Sequence, residues 1–146
     1  MREIKYRAFG EWGERKGEWW YGTNQIEKYF GTEKRKNHLS LHAFERLIKG
    51  EILNPLTRGQ STGFTIKDKE IYEGDIIKGR KDTVYKVVFE RGCFFLYHLN
   101  LFNPDKTNLR WGLLSRLFDS DMIDIEKDCE IIGNIYENKN LIAEVK

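Results

Sequence analysis

The sequence predicts a mainly β protein with minor α content. A β-hairpin and one helix are expected over residues 1–60, packed on a small barrel-like antiparallel sheet over residues 61–146. Three observations carry this. Short apolar runs repeat with the two-residue period of a half-buried strand. Gly-, Asp- and Lys-containing turns separate those runs every few residues. The stretch 41–49, in contrast, switches to a helical period.

Taken in order, Ile4, Tyr6 and Ala8 alternate with Lys5, Arg7 and Phe9, which is strand patterning. Glu14 to Gly17 reads as a turn, and Glu18-Trp19-Trp20-Tyr21 as the return strand of a hairpin. Gln25 to Phe30 reads as a third strand, and Gly31 to Asn37 as a polar loop. Ser40 is an N-cap residue, Leu41, Phe44, Leu47 and Ile48 share one helical face, and Gly50 suits the stop, so a helix is expected over 41–49. Pro55 and Gly59 then mark a loop.

From Thr62 onward the strand signal is dense. Phe64 to Ile66 leads to a turn at Lys67-Asp68-Lys69 and a return through Ile71-Tyr72. Glu73-Gly74-Asp75 breaks the chain before Ile76-Ile77. Val84 to Phe89 and Cys93 to Leu99 flank an Arg91-Gly92 turn, and 131–136 is the last strand. Between them, Asn108 is expected to cap a short helix reaching Phe118. A strand buried on both faces is one reading of Trp19-Trp20-Tyr21, since consecutive strand residues cannot share a face; exposed aromatics are the other.

The chain carries 25 Lys and Arg against 23 Asp and Glu, too near balance to argue by itself for a nucleic-acid partner. The distribution is uneven. Residues 1–60 hold 12 basic and 8 acidic side chains, and residues 61–146 hold 13 and 15. Lys28, Lys34, Arg35 and Lys36 cluster near Tyr29 and Phe30, whereas the six acidic residues from Asp119 to Glu130 face only one basic residue, Lys127. Solvated faces explain such runs; alternatively the two patches meet, within one chain or between copies. Without a signal-like apolar stretch after Met1, a cytoplasmic, reduced setting is expected, with Cys93 and Cys129 as free, buried thiols. No run reaches the ~20 apolar residues of a membrane helix, and no membrane partner is expected.

The candidate chemistry is thin. Gly59-Gln60-Ser61-Thr62-Gly63 matches G-x-S-x-G but lacks a strand before and a helix after, so a plain loop is expected. His38 and His42 are four apart with no third ligand, and neither cysteine has a CxxC partner, so no metal and no cofactor is expected. Glu70, Glu73 and Asp75 could share acid–base work, but a turn in which Asp75 bonds backbone N–H groups is the simpler reading. No phosphate loop, dinucleotide fingerprint or catalytic triad is present.

Several stretches together carry a family resemblance. They are Met1 to Phe9; Gly17-Glu18-Trp19-Trp20-Tyr21-Gly22; Gly59 to Phe64; Lys67 through Ile71-Tyr72-Glu73-Gly74-Asp75-Ile76-Ile77; and Glu130-Ile131-Ile132-Gly133-Asn134-Ile135-Tyr136-Glu137-Asn138. In order and wording this resembles the YopX family of phage and prophage proteins across nearly the whole chain. Residues 31–50 and 100–125 match least, and the family's usual Asn-Gly turn near Lys67 is shortened here. The resemblance implies a small, β-rich, cytoplasmic protein of mobile-element origin, with no catalytic residues to carry over. Gly63, Tyr72, Gly74, Asp75, Gly133, Asn134 and Tyr136 are read as fold-defining: Gly74 for a sharp turn capped by Asp75, Gly133 for a bulge, Asn134 for a bond to a neighbouring turn.

The expected function is a non-catalytic interaction module of phage or prophage origin, acting through a protein partner or self-assembly, with no small-molecule substrate evident. The alternative is a nucleic-acid-binding accessory protein using Lys28, Lys34, Arg35 and Lys36 with Trp19 or Trp20. An enzyme reading would need a deep polar pocket around Glu70, Glu73 or His98.

Overall fold

The computed structural model describes residues 2–79, 83–99, 109–119 and 124–138. The chain divides into two compact units, Met1–Ser61 and Thr62–Lys146. The strands form two five-stranded sheets.

In the first unit, β1 (Lys5–Phe9) pairs antiparallel with β2 (Trp19–Thr23), and β3 (His38–Ser40) adds to β2 in parallel. The start of β4 (Gly59–Ile66) pairs with the other edge of β1 through Tyr6 and Arg7. Helix α1 (Leu41–Lys49) has the expected bounds: the Ser40 hydroxyl accepts from the Ala43 N–H at 3.2 Å, and Gly50 closes the last turn. Its fully buried Phe44 forms the core with Ala8, Trp20 and Leu53. A Cβ on Gly22 would overlap the Phe44 side chain, so a glycine is required where helix meets strand.

Two expectations fail here. Gln25 to Phe30 is not a strand but a 3-10 turn over Ile26–Tyr29, and Glu33–Asn37 forms a second one. The third strand of the unit is instead His38–Ser40. The reason is non-local: Tyr29 turns inward and Lys28 reaches Glu3, which the local sequence does not encode. The G-x-S-x-G segment is also no loop. It lies inside β4, with a further strand ahead of it, so the strand-to-helix elbow is absent.

In the second unit, β4 turns into β5 (Lys69–Tyr72) through Lys67 and Asp68, both with positive φ (50° and 66°). That is the geometry of a two-residue hairpin turn, and two non-glycine residues adopt it. The second sheet runs in the order β10 (Glu130–Asn134), β6 (Asp75–Lys78), β7 (Val84–Glu90), β8 (Cys93–His98), β9 (Leu109–Leu113). Every pairing in it is antiparallel. The sheet stays open, so the barrel-like closure is corrected: β10 and β9 remain its two edges. Short helices α2 (Leu114–Asp119) and α3 (Ile125–Asp128) contribute Leu114 and Ile125 to a core with Ile66, Ile71, Ile77, Val87 and Leu96. The expected helix over 108–118 is half wrong. Residues 109–113 pair with β8, and the helix begins only at Leu114; Asn108 lies outside the described residues.

Candidate functional site

In the first unit, the two faces of the β1–β2 hairpin are both covered, by different chemistry. Tyr6, Ala8 and Trp20 face α1. The opposite face carries Lys5 and Arg7, each less than a tenth exposed, against Trp19, Tyr21 and Tyr29. The Arg7 guanidinium lies 4.4 Å from the Trp19 ring, and Phe9 meets the same indole edge-on at 5.3 Å. The Lys5 ammonium sits 5.4 Å from Tyr21 and 4.7 Å from Tyr29. His38 stacks on both tyrosines, at 4.8 and 4.1 Å. Cations thus do the covering that apolar residues do in an ordinary core.

This layer ends in a polar network. Lys5 Nζ donates to Tyr29 Oη at 2.9 Å, and Tyr29 donates to Glu3 Oε2 at 2.9 Å. Thr23 donates to the same oxygen at 2.6 Å, and Lys28 to Glu3 Oε1 at 2.5 Å. Burial pushes the Glu3 carboxyl up, but the bonds from Lys28, Thr23 and Tyr29 outweigh it and hold it below the usual carboxylate value of 4.5. A lowered folded pKa stabilises above the unfolded value and is lost as pH falls through the folded one. The first unit is therefore expected to lose stability as pH drops below about 4.5, with Glu3→Gln flattening that acid limb in chemical denaturation followed across pH. An unchanged acid limb would show that the network contributes nothing there.

The aromatic pair of the nucleic-acid reading is not laid out for bases. Trp20 is 8% exposed, inside the core, with its Nε1 donating to the Arg15 carbonyl at 3.3 Å. Trp19 is half-buried beneath Arg7 and Phe9. Lys28 is tied to Glu3. Lys34, Arg35 and Lys36 are exposed on one 3-10 turn. Arg35 donates to the His38 carbonyl at 2.8 Å and lies 4.8 Å from the Phe30 ring, which is 57% exposed; Lys36 is 3.9 Å from Glu18. The three cations share one turn, from which Arg35 meets Phe30, a residue absent from the sequence-based set.

The seven fold-defining residues fall into the second unit, six of them in two adjoining turns. Asp75 is 2% exposed and its carboxylate accepts from the Tyr72 N–H at 2.8 Å, the turn role expected. Tyr72 donates its hydroxyl to Glu70 at 3.3 Å. Gly74, at φ 94°, donates to the Val87 carbonyl and accepts from the Ile135 N–H, and a Cβ there would come within 3.0 Å of the Tyr136 ring. Asn134 pairs with Asp75 across β10 and β6, next to the register shift between Ile131 and Gly133. Its carboxamide bonds its own turn, accepting from the N–H groups of Tyr136 and Glu137, rather than reaching another turn. A Cβ on Gly133 would strike the Asn138 side chain, which accepts from the Asn134 N–H. Gly63, at φ 83°, lies in β4. Of the carboxylates weighed as acid–base partners, Asp75 bonds its turn and Glu70, in β5, accepts from Tyr72; His98 lies against Tyr85 at 5.5 Å.

The second unit also holds a groove of about 620 Å³ lined by Phe64, Phe118, Ile125, Asp124 and Glu126. Phe64 and Phe118 stack at 4.4 Å. Cys129 is buried as expected, but Cys93 is exposed at the start of β8 and not buried; both are free thiols. Among the described residues, no three His, Cys, Asp or Glu side chains gather to hold a metal, and no helix is long and apolar enough to cross a membrane.

Sequence reasoning missed two features. One is the Lys5–Tyr29–Glu3 network; its signal was basic residues alternating in β1 opposite aromatic residues in β2. The other is a pair of exposed apolar side chains, Trp12 (67%) and Leu56 (83%). Trp12 stands between glycines in a loop and Leu56 follows a proline, which is how an apolar residue escapes a core. The two loops are joined: Gly10 bridges Leu53, the Glu11 N–H donates to the Ile52 carbonyl, and Asn54 donates to Glu11 at 3.0 Å. A family model described as YopX protein matches residues 5–143. No curated protein matches the chain.

Proposed function

The chain belongs to the YopX family, and we propose that it works as a non-catalytic interaction module, of the phage or prophage origin its resemblance implies, through a protein partner or self-assembly. The observation that carries this reading is the exposure of Trp12 and Leu56 on two hydrogen-bonded loops of the first unit. Tryptophan is strongly enriched among the residues that dominate protein interfaces, and leaving both side chains in water forgoes burial that a partner would supply. Several polar side chains bond within the fold: Glu3 in the hairpin network, Asp75 and Asn134 in their turns. Free thiols, one of them exposed, fit a reducing, cytoplasmic setting.

Hydrogen exchange on the full chain tests the reading. Backbone amides around Trp12 and Leu56 are expected to gain protection as protein concentration rises, while those of β7 do not change. Equal exchange at every concentration would remove self-assembly from the reading.

A second reading is favoured by a specific observation, the exposed Lys34-Arg35-Lys36 turn beside Phe30. In that reading phosphates meet the cations and a base stacks on Phe30, in place of the Trp19 or Trp20 of the sequence-based set. Steeply salt-dependent binding of single-stranded DNA or RNA, lost in Lys34→Ala/Arg35→Ala/Lys36→Ala, would put this reading first.

A further inference from the structure

We propose that the groove of the second unit takes the Lys34 ammonium of another copy of the chain. The inference rests on the interaction-module reading and names one contact of it. The chain supplies both halves of the contact. Residues 61–146 carry the acidic surplus and residues 1–60 the basic one. The groove sets two stacked rings, Phe64 and Phe118, beside the carboxylates of Asp124 and Glu126. Ring faces and carboxylates together are what an ammonium binds, the rings through their quadrupole and the carboxylates through charge and hydrogen bonds.

Each carboxylate keeps capacity for this. One oxygen of Glu126 accepts from the Lys67 N–H at 2.7 Å, and one oxygen of Asp124 from the Lys127 N–H at 3.3 Å. The second oxygen of each carries no bond among the described residues. These backbone bonds also fix the carboxylates in place, so little side-chain freedom remains to be lost on binding.

Lys34 is presented in a matching way. It is exposed and makes no ion pair among the described residues. Its turn is held rigid from both sides: its own carbonyl bonds the His38 ring, and Arg35 is fixed between Phe30 and the His38 carbonyl. Arg35 and Lys36 are thus partly engaged, and Lys34 is the cation left to reach outward. Two copies exchanging the contact reciprocally form a closed two-fold dimer; a head-to-tail contact instead closes a larger ring or propagates.

Charge reversal tests it. Association of the full chain is measured by sedimentation at about 50 mM and about 500 mM salt, since exposed ion pairs are screened over that range. Wild type is expected to associate more weakly at the higher salt. Lys34→Glu and Glu126→Lys are each expected to weaken association roughly tenfold, and the double variant Lys34→Glu/Glu126→Lys to recover wild-type affinity. Recovery separates the contact from any damage at the Lys67 turn, because Lys34→Glu cannot repair a lost Glu126 bond. The proposal is overturned if the single variants associate like wild type, or if the double variant stays as weak as they are. Association that ignores salt and charge reversal but disappears in Trp12→Ser/Leu56→Ser would also overturn it, while leaving the broader reading standing. A chain that is monomeric throughout would overturn it and confine that reading to a different protein partner.

Discussion

Phe44→Ala is expected to destabilise the first unit by about 3–5 kcal/mol, the range for deleting a fully buried phenylalanine from a core that cannot collapse around the gap. Phe44 is 0% exposed, and its ring is the surface on which Ala8, Trp20 and Leu53 meet α1. The gap cannot close easily because Gly22 has no side chain to move into it. The same geometry makes Gly22→Ala costly for the opposite reason: its methyl group would occupy ring space, and overpacking of this kind costs about 1–3 kcal/mol. The two effects are strongly coupled. Gly22→Ala in the Phe44→Ala background is expected to cost little or even to stabilise, since it fills the vacated volume. Hydrogen exchange of the β2 amides reads the first unit separately from the second, which matters because two compact units need not unfold together. Additive losses in the double variant would show that Gly22 and Phe44 do not share that space.

Asp75→Ala is expected to cost the second unit about 2–3 kcal/mol, because it strips the acceptor from a buried N–H and loses a charge-assisted bond. The donor is the Tyr72 backbone N–H, 2.8 Å from the carboxylate, and both residues are almost wholly buried. Asp75→Asn keeps an acceptor and is expected to lose less than half as much. The loss should appear first as faster exchange at the Tyr72 amide and then across β6 and β10, where Asp75 stands opposite Asn134. An alanine variant as stable as wild type would mean that the turn is held by Gly74 and Tyr136 alone.

The parts of the fold that the sequence makes legible are those settled by neighbours in the chain. The α1 boundaries follow from Ser40, Gly50 and a four-residue apolar spacing, all local. The strands from Lys69 to His98 follow from alternation and from turns whose residues adopt positive φ, such as Gly74, Arg91 and Gly92. The parts that mislead depend on distant partners. Residues 25–30 read as a further strand, yet Glu3 draws Lys28 and Tyr29 into a 3-10 turn. Residues 109–113 precede a helical apolar face and resemble its continuation, yet β8 recruits them as an edge strand. The open sheet has the same origin, since strand periodicity says nothing about whether two edges meet.

The candidate site follows the same division. Asp75 and Gly133 are legible because a turn cap and a bulge are local devices. Trp19 and Trp20 are not, because period-two patterning separates their faces without saying what covers each. Arg7 and Phe9 cover one, and Phe44 the other. A buried Lys5 is the least legible of all, since isolated lysine belongs in water; the Tyr21 and Tyr29 rings and the Tyr29 hydroxyl help make its position tolerable.

Light scattering on the purified full chain across a wide concentration range tests the central claim most directly, with the Trp12→Ser/Leu56→Ser variant alongside. The account predicts a wild-type mass that rises above the 17.4 kDa of a single chain as concentration increases, and a variant that stays at 17.4 kDa with unchanged folding. A wild type fixed at 17.4 kDa, together with tight, salt-sensitive nucleic-acid binding lost in Lys34→Ala/Arg35→Ala/Lys36→Ala, would contradict it.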